Sequence, residues 1–311
     1  LLAISWREAG HPERAARWFE LAGDRAERAL AFDHAAHLYQ MALDSAPQPP
    51  LSLRIKRAEA LANGGRGPEA AAAYVAAAAH AGGEQAIDLR RFAVDQYLRA
   101  GHVDQGLGLI GELSQLLGSR LPTSKQGLIS SVLLQRSRLR LRGYSYQERS
   151  ETEASADTLR RLDLFWSMAH SLALVDTLRS ADFVGRGLLL ALRTGEPRRL
   201  ARLLAIESSL LAAPHGQMPA RSLTLYEQAR RIADQIGDPV SRAWVLGTRG
   251  ATAVLLGRWR EGADLLQQAV AEFATLPGMH WERVAQEMMM CGALYISWAR
   301  LPLYPSTSTP W

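Results

Sequence analysis

The strongest constraint on what this chain can fold into is a spacing that recurs along it. A glycine is followed by a small residue five positions on, a bulky residue four after that and a small residue three further. The pattern occurs as Gly10/Ala15/Phe19/Ala22, Gly65/Ala70/Tyr74/Ala77 and Gly257/Gly262/Leu266/Ala269, and as Gly101/Gly106/Ile110/Leu113 with its last member enlarged. A glycine ends a helix cheaply because only it enters the left-handed region at little cost. The residues that follow at i, i+4 and i+7 share one helix face, where small side chains admit a neighbouring helix and the bulky one fills the groove. Self-similarity of this kind predicts a stack of helix pairs, an architecture that binds macromolecules more often than it performs chemistry.

The triplet returns as Ala35/Tyr39/Ala42, and Ala35, Ala70 and Gly106 follow one another at steps of 35 and 36 residues. That is close to the tetratricopeptide period. Ala15 and Ala35 lie too close together for a full repeat, so one of their helices has to serve as the first of a pair. Of the 311 residues 48% are hydrophobic, Ala and Leu dominate, and no stretch alternates apolar with polar between turn signals. The expected fold is all-α, an α-solenoid of antiparallel helix hairpins resembling a tetratricopeptide superhelix, with no sheet.

Punctuation along the chain predicts four regions: repeats over 1–117, divergent hairpins over 118–219, repeats again over 220–300, and a disordered tail over 301–311. Helices are expected over 1–9 and from Pro12, with a break at Gly23-Asp24 before a helix from Ala26 to Ala46. Further helices are expected over Ser52–Ala62, Ile87–Ala100 and Val103–Leu117. In the middle come 125–142, 156–179, 182–194 and 197–213, with turns at Gly143, Ser180-Ala181 and Gly195-Glu196-Pro197. Loops fall at Gly118–Thr123 and Pro214–Pro219, and Ser222/Tyr226/Ala229 restores the triplet. A hairpin from Ser241 to Phe273 turns at Gly257, with Gly250 giving close helix contact, and a last helix over 281–298 has no partner. The opening Leu1-Leu2-Ala3 lies inside an amphipathic pattern and reads as an excerpt of something longer.

The net charge of +5 is carried almost wholly by arginine, because the only lysines are Lys56 and Lys125. Arginine bias of this degree gives little ground for nucleic-acid binding by itself. A single cysteine, Cys291, allows no internal disulfide, and no apolar run approaches the ~18 residues of a membrane span. The expected setting is the cytoplasm, without membrane contact. Neither lysine follows a glycine as a phosphate-binding loop requires, and Asp182-Phe183-Val184 is a near miss to a kinase signature without its companions. His34 and His37 share a helical turn, but no second ligand pair accompanies them. Asp157 and Asp163, like Glu151 and Glu153, lack a His or Ser arranged around them for acid–base work. No catalytic, cofactor-binding or metal-binding residue is assigned, and no cofactor is expected.

The most basic stretch is Arg136, Arg138, Arg140 and Arg142, followed by Tyr144, Tyr146 and Arg149. On a helix these arginines spread over more than one face, with Leu134, Leu139 and Leu141 expected on the inner side. A solvated face is the plainer reading; contact with RNA or another anionic partner is the alternative. Trp18, Trp244, Trp259 and Trp281 neighbour triplets or turns and are expected in the core. Met288-Met289-Met290 offers an adaptable surface with at most two side chains facing one partner.

Two stretches resemble a known family. The opening, A-G-H-P-E-R-A-A-R-W-F-E-L-A-G-D-R-A from Ala9 with A-F-D-H-A-A-H-L-Y-Q-M-A-L from Ala31 to Leu43, resembles the tetratricopeptide-like tail of bacterial signalling ATPases of the STAND/AAA type. The segment Phe165–Phe183 with Leu188–Pro197 is similar to the tail of a branch in which a serine/threonine protein kinase domain and an ATPase module come first. The resemblance implies a non-catalytic arm that binds a protein or peptide and works with the kinase and ATPase modules of a longer parent chain. Because the kinase and ATPase motifs lie outside this sequence, it carries no catalytic residue onto any position here. The candidate partner-binding residues are Arg136, Arg138, Arg142, Tyr144 and Tyr146 from the basic stretch, with Asp176 and Arg179 from the family-like segment. A nucleic-acid-binding helical repeat centred on Arg136–Arg149, and a truncated product without a role of its own, are the alternatives.

Overall fold

Five helix ends share one backbone geometry, and it explains the recurring spacing. In the computed structural model Gly10, Gly65, Gly101 and Gly257 all take φ of 75–79°. The N–H after each glycine donates to the carbonyl five residues back: His11 to Trp6, Arg66 to Leu61, His102 to Tyr97 and Arg258 to Ala253, at 2.8–2.9 Å. Each glycine N–H donates to the carbonyl three residues back, at 3.0–3.1 Å. This paired closure satisfies carbonyls that a helix end otherwise leaves open. The fifth copy has no glycine: Leu30 takes φ 58°, with Ala31 bonded to Ala26 and Leu30 to Glu27 in the same way. Counting from Leu30, the residues five, nine and twelve positions on are Ala35, Tyr39 and Ala42, all fully buried.

The structure describes residues 2–116, 118, 121–122, 124–173, 175–212, 218–276 and 278–299. The described residues are all-α, with no strand among them. They form α1 (Leu2–Glu8), α2 (Pro12–Arg28), α3 (Phe32–Ser45), α4 (Leu51–Asn63), α5 (Gly67–Ala78), α6 (Gly83–Arg99) and α7 (Val103–Leu116). After these come α8 (Lys125–Arg142), a 3-10 turn (Glu151–Glu153), α9 (Ala156–Ser171), α10 (Thr177–Thr194), α11 (Pro197–Ala212) and α12 (Ala220–Ile236). The last are α13 (Pro239–Leu255), α14 (Trp259–Ala274) and α15 (His280–Ala299).

The helices divide into two compact units. One holds α1–α7, the start of α8 through Leu128, and Ser171–Asp176; the other holds α8 from Ile129, α9 to His170, and α10–α15. In the first unit each helix packs on the next from α1 to α7, around a core of alanines with Phe19, Tyr39, Leu53, Leu61 and Tyr74. In the second unit α10–α15 pack in succession, α13 also touching α11, around leucines of α10 and α11 and a smaller cluster of Trp244 and Phe273.

Several expected boundaries move, each for a physical reason. Gly23-Asp24 does not break a helix, because Gly23 is buried where a Cβ would lie 2.5 Å from the Tyr39 ring. The glycine provides close approach, and the turn comes at Leu30 instead. Gly23 also replaces the half-buried Ala22 as the last small member of the first triplet. The break expected at Ser180-Ala181 falls earlier, between α9 and α10, because the buried Ser180 hydroxyl donates to the Ala169 carbonyl at 2.6 Å and needs no turn. α15 is not without a partner: it packs on α14 and α13. Of the tryptophans expected in the core, Trp244 is buried, whereas Trp18 and Trp281 keep 41% and 40% of their surface exposed. The expected tail over 301–311 lies outside the described residues, as do positions 214–217 of the expected loop before α12. Gly250 meets its expectation: a Cβ there would lie 2.8 Å from Leu266 Cγ and 3.0 Å from its backbone nitrogen.

Two substitutions test this reading of the turns and seats. Leu30→Gly relieves a bulky residue of a left-handed conformation while giving up a side chain that is 73% exposed. It should raise stability by about 0.5–1 kcal/mol. Gly250→Ala, by overfilling the contact with α14, should lower it by about 1–3 kcal/mol. The midpoint of guanidinium unfolding followed by circular dichroism measures both.

Candidate functional site

The basic stretch lies on α8 and on the non-helical strap that follows it. α8 buries Gln135 and Leu139, and Gln135 occupies the space left by Gly185, where a Cβ would lie 2.7 Å from its own. Leu134 and Leu141 are not on the inner side; Leu141 is 89% exposed. At about 100° per residue, Leu139 falls on the Gln135 stripe while Leu134 and Leu141 fall well away from it.

Arg136 and Tyr144 meet on one carboxylate. The Arg136 guanidinium forms an ion pair with Oε1 of Glu207, a fully buried residue of α11. The Tyr144 hydroxyl donates to the same oxygen at 3.0 Å. The other oxygen, Oε2, is buried and has no hydrogen-bond partner among the described residues. On α12, the Arg221 guanidinium lies 5.2 Å from the Tyr144 ring centre, and Gln228 donates to the Tyr144 carbonyl at 3.2 Å. Burial, the charge of Glu207 and the hydrogen bond to it push the Tyr144 phenol up to about 12. Chemically the group is a buried ion pair with a phenol as second donor, and it fastens the strap to α11.

Arg142 is also used internally. It donates to the carbonyls of Gly143, Ser145 and Leu192 at 2.8–3.1 Å, the last near the C-terminal end of α10. Farther along the strap, Arg149 N–H donates to the Gly195 carbonyl at 3.0 Å. Gly195 takes φ 78°, and a Cβ there would lie 2.0 Å from the Gln147 carbonyl oxygen, so only glycine fits. Tyr146 packs against the leucine core, and burial with the nearby Glu148 raises its phenol. Arg138, by contrast, is exposed, as is Arg140. Asp176 immediately precedes α10 and Arg179 lies in its first turn, both half-buried. Arg179 stands more than three turns from the Leu192 carbonyl that Arg142 caps, about 20 Å along the helix. The structure thus gathers Arg136 and Tyr144, fixes Arg142 and Tyr146 beside them, leaves Arg138 exposed and Arg179 at the far end of α10, and assigns Asp176 to the other compact unit.

Sequence reasoning missed Glu207 and misplaced Asp182. Glu207 follows Leu203, Leu204 and Ile206, a carboxylate on the buried face of an amphipathic helix, and that oddity was a readable signal. Asp182 is buried and accepts from Ser131 at 2.5 Å and from Arg186 at 2.7 Å. A cleft of about 480 Å³ opens between the strap and the start of α11. Three of its carboxylates have partners in the fold: Glu196 accepts from the N–H groups of Arg198 and Arg199, Glu153 from Ser150, and Glu151 from Arg199. Among the described residues no group of three His, Cys, Asp or Glu is placed to hold a metal ion, and His34 and His37 are exposed.

Arg136→Ala leaves a buried charge without its cation and should cost about 3 kcal/mol, the low end because Arg136 itself keeps 27% of its side chain in water. Tyr144→Phe keeps the ring and loses only the donor, about 1–2 kcal/mol. With the folded phenol near 12 and an unfolded one near 10, the stability that Tyr144 contributes is complete below pH ~10 and is lost as pH rises toward 12. Alkaline unfolding of the parent should therefore begin to converge with that of Tyr144→Phe above pH ~10. No protein-family model matches the chain, and no curated protein is significantly similar to it.

Proposed function

We propose that the chain is a solenoid of antiparallel helix hairpins of the tetratricopeptide-like kind, and that it is the non-catalytic, partner-binding arm of a bacterial signalling protein that also carries a serine/threonine kinase domain and a STAND/AAA-type ATPase module. The observation that carries the reading is the fivefold turn. After each of Gly10, Leu30, Gly65, Gly101 and Gly257 the residues five and nine positions on are buried, and so is the twelfth in every copy but the first. A unit that buries its face only against its neighbours leaves an extended outer surface, and that surface is what such stacks use to hold a protein or peptide. The assignment to a kinase–ATPase arm rests on the resemblance of Phe165–Phe183 and Leu188–Pro197, and it implies action in the cytoplasm.

The nucleic-acid reading is less favoured by the side chains themselves. Arg136 and Arg142 are engaged with Glu207 and with backbone carbonyls, so few cations of the stretch remain for phosphates.

Selection of a displayed random-peptide library on the intact chain tests the proposal. Enrichment of a peptide motif that binds in the micromolar range, with affinity changing little between 50 and 200 mM salt, is the expected result. Failure to enrich any peptide would overturn it, and RNA binding that falls steeply with salt and disappears in Arg138→Ala/Arg140→Ala would assign the chain to nucleic acid instead.

A further inference from the structure

We infer that the outer face of α8 is a docking site for an amphipathic helix of a protein partner that carries acidic residues along the borders of its apolar stripe. The inference rests on the proposed role of the chain as a partner-binding arm, and it names the chemistry of the partner.

The face carries three exposed leucines where a solvated helix is ordinarily polar, with only the small Ser130 and Ser137 set between them. Leu133 is 62% exposed, Leu134 48% and Leu141 89%. At about 100° per residue, Leu133, Leu141 and Leu134 fall within one sector, with Arg140 at one border and Arg138 about 160° round at the other. Both arginines are exposed, and neither has an ion-pair partner among the described residues. Arg136 and Arg142 leave this face for partners in the fold, so the cations that remain are those flanking the leucines.

Charge selects the occupant. α8 contains no acidic residue, so a second copy of the same face would set arginine against arginine. An anionic lipid surface is held by clusters of about 4–8 basic residues, and two free arginines fall short of that. A leucine stripe with a cation on each border is instead the complement of an amphipathic helix presenting apolar anchors at i, i+3, i+4 and i+7 between carboxylates.

The test uses the intact chain, a displayed library of 16-residue peptides and vesicles containing phosphatidylserine. Enriched peptides are expected to show a helical apolar stripe bordered by Asp or Glu. Leu141→Glu, at an exposed position that leaves the helical circular dichroism unchanged, should weaken their binding about tenfold or more. Arg138→Glu/Arg140→Glu should reject them and select peptides bordered by Lys or Arg, a reversal that misfolding would not produce. Enriched peptides that lack the acidic borders, or that ignore these variants, would overturn the α8 site while leaving the partner-binding arm intact. No enriched peptide at all would overturn both, and vesicle binding lost in Leu141→Glu without peptide enrichment would assign the face to a membrane instead.

Discussion

A helix that ends in a left-handed residue, with the following N–H reaching back to the carbonyl five residues earlier, sends the chain back along its own flank. Much of this molecule depends on that closure. Because the turn has fixed length and hand, the residue five positions beyond it always arrives where the preceding helix passes closest. Room is short there: three copies bury an alanine, Ala15, Ala35 or Ala70, and the other two use glycine, where a Cβ on Gly106 would lie 2.6 Å from Leu98 and one on Gly262 would lie 2.5 Å from Val254. The bulky residue nine positions on then enters the groove beyond. Burying one such side chain contributes roughly 1.5–3 kcal/mol, so each copy of the turn sets up its own local core. Tyr39 shows how a polar atom is carried inside by the same device. Its ring lies over Gly23 while its hydroxyl contacts Asp24 and Glu27 at 2.8–2.9 Å. Burial and those carboxylates keep the phenol well above its ordinary range. Lys56 of α4 closes the set by donating to Asp24 and Glu20.

Where the triplet is missing, buried charges take up the same task of fixing one helix on another. Arg199 donates to both oxygens of Asp163 at 2.8 and 2.9 Å and also reaches Glu151 and Glu196. Burial alone would lower its guanidinium, but three carboxylates outweigh burial and hold it above its ordinary value. Asp182 with Ser131 and Arg186 ties α8 to α10, and Glu207 with Arg136 ties α8 to α11. Ion pairs of this kind add little net stability compared with apolar packing, because each charge gives up its hydration. Their geometry is nevertheless demanding, and a helix that slides by one residue along its neighbour loses all of them at once.

The parts of the fold legible in the sequence are those where backbone conformation demands a residue type. Gly10, Gly65, Gly101 and Gly257 announce their turns because other residues pay to stand there. Leu30 pays that cost, so its turn was invisible and the break was misread at Gly23, a glycine needed for contact and not for conformation. Ser180 misled in a similar way: a small polar residue looks like a turn until its hydroxyl is seen to be satisfied one helix away. The unit boundaries and the strap anchors depend on pairings far apart in the chain, such as Arg136 with Glu207 and Arg149 with Gly195. Periodicity within one helix carries no trace of these partners beyond the anomaly of a carboxylate on an apolar face.

The basic stretch shows why a run of like charges in a sequence is a poor guide to a patch on a surface. Residues at every second position of a helix advance by about 200°, so the arginines fall on opposite sides in pairs, Arg136 with Arg140 and Arg138 with Arg142, and what each one meets is set by the neighbour at its own height along the axis. Arg136 meets α11 while Arg140, one turn on, faces water, and Arg138 faces water while Arg142, one turn on, reaches the end of α10. The same arithmetic turns Leu133, Leu134 and Leu141 outward, away from Leu139. What reads along the chain as a single cationic motif is thus two structures interleaved: internal fastenings that hold the strap and α8 in place, and an outer apolar face edged by the arginines that the fold does not use. The first makes the second possible, because a helix pinned by Arg136 and Arg142 presents its leucines in a fixed orientation and spares a partner the entropy of ordering them.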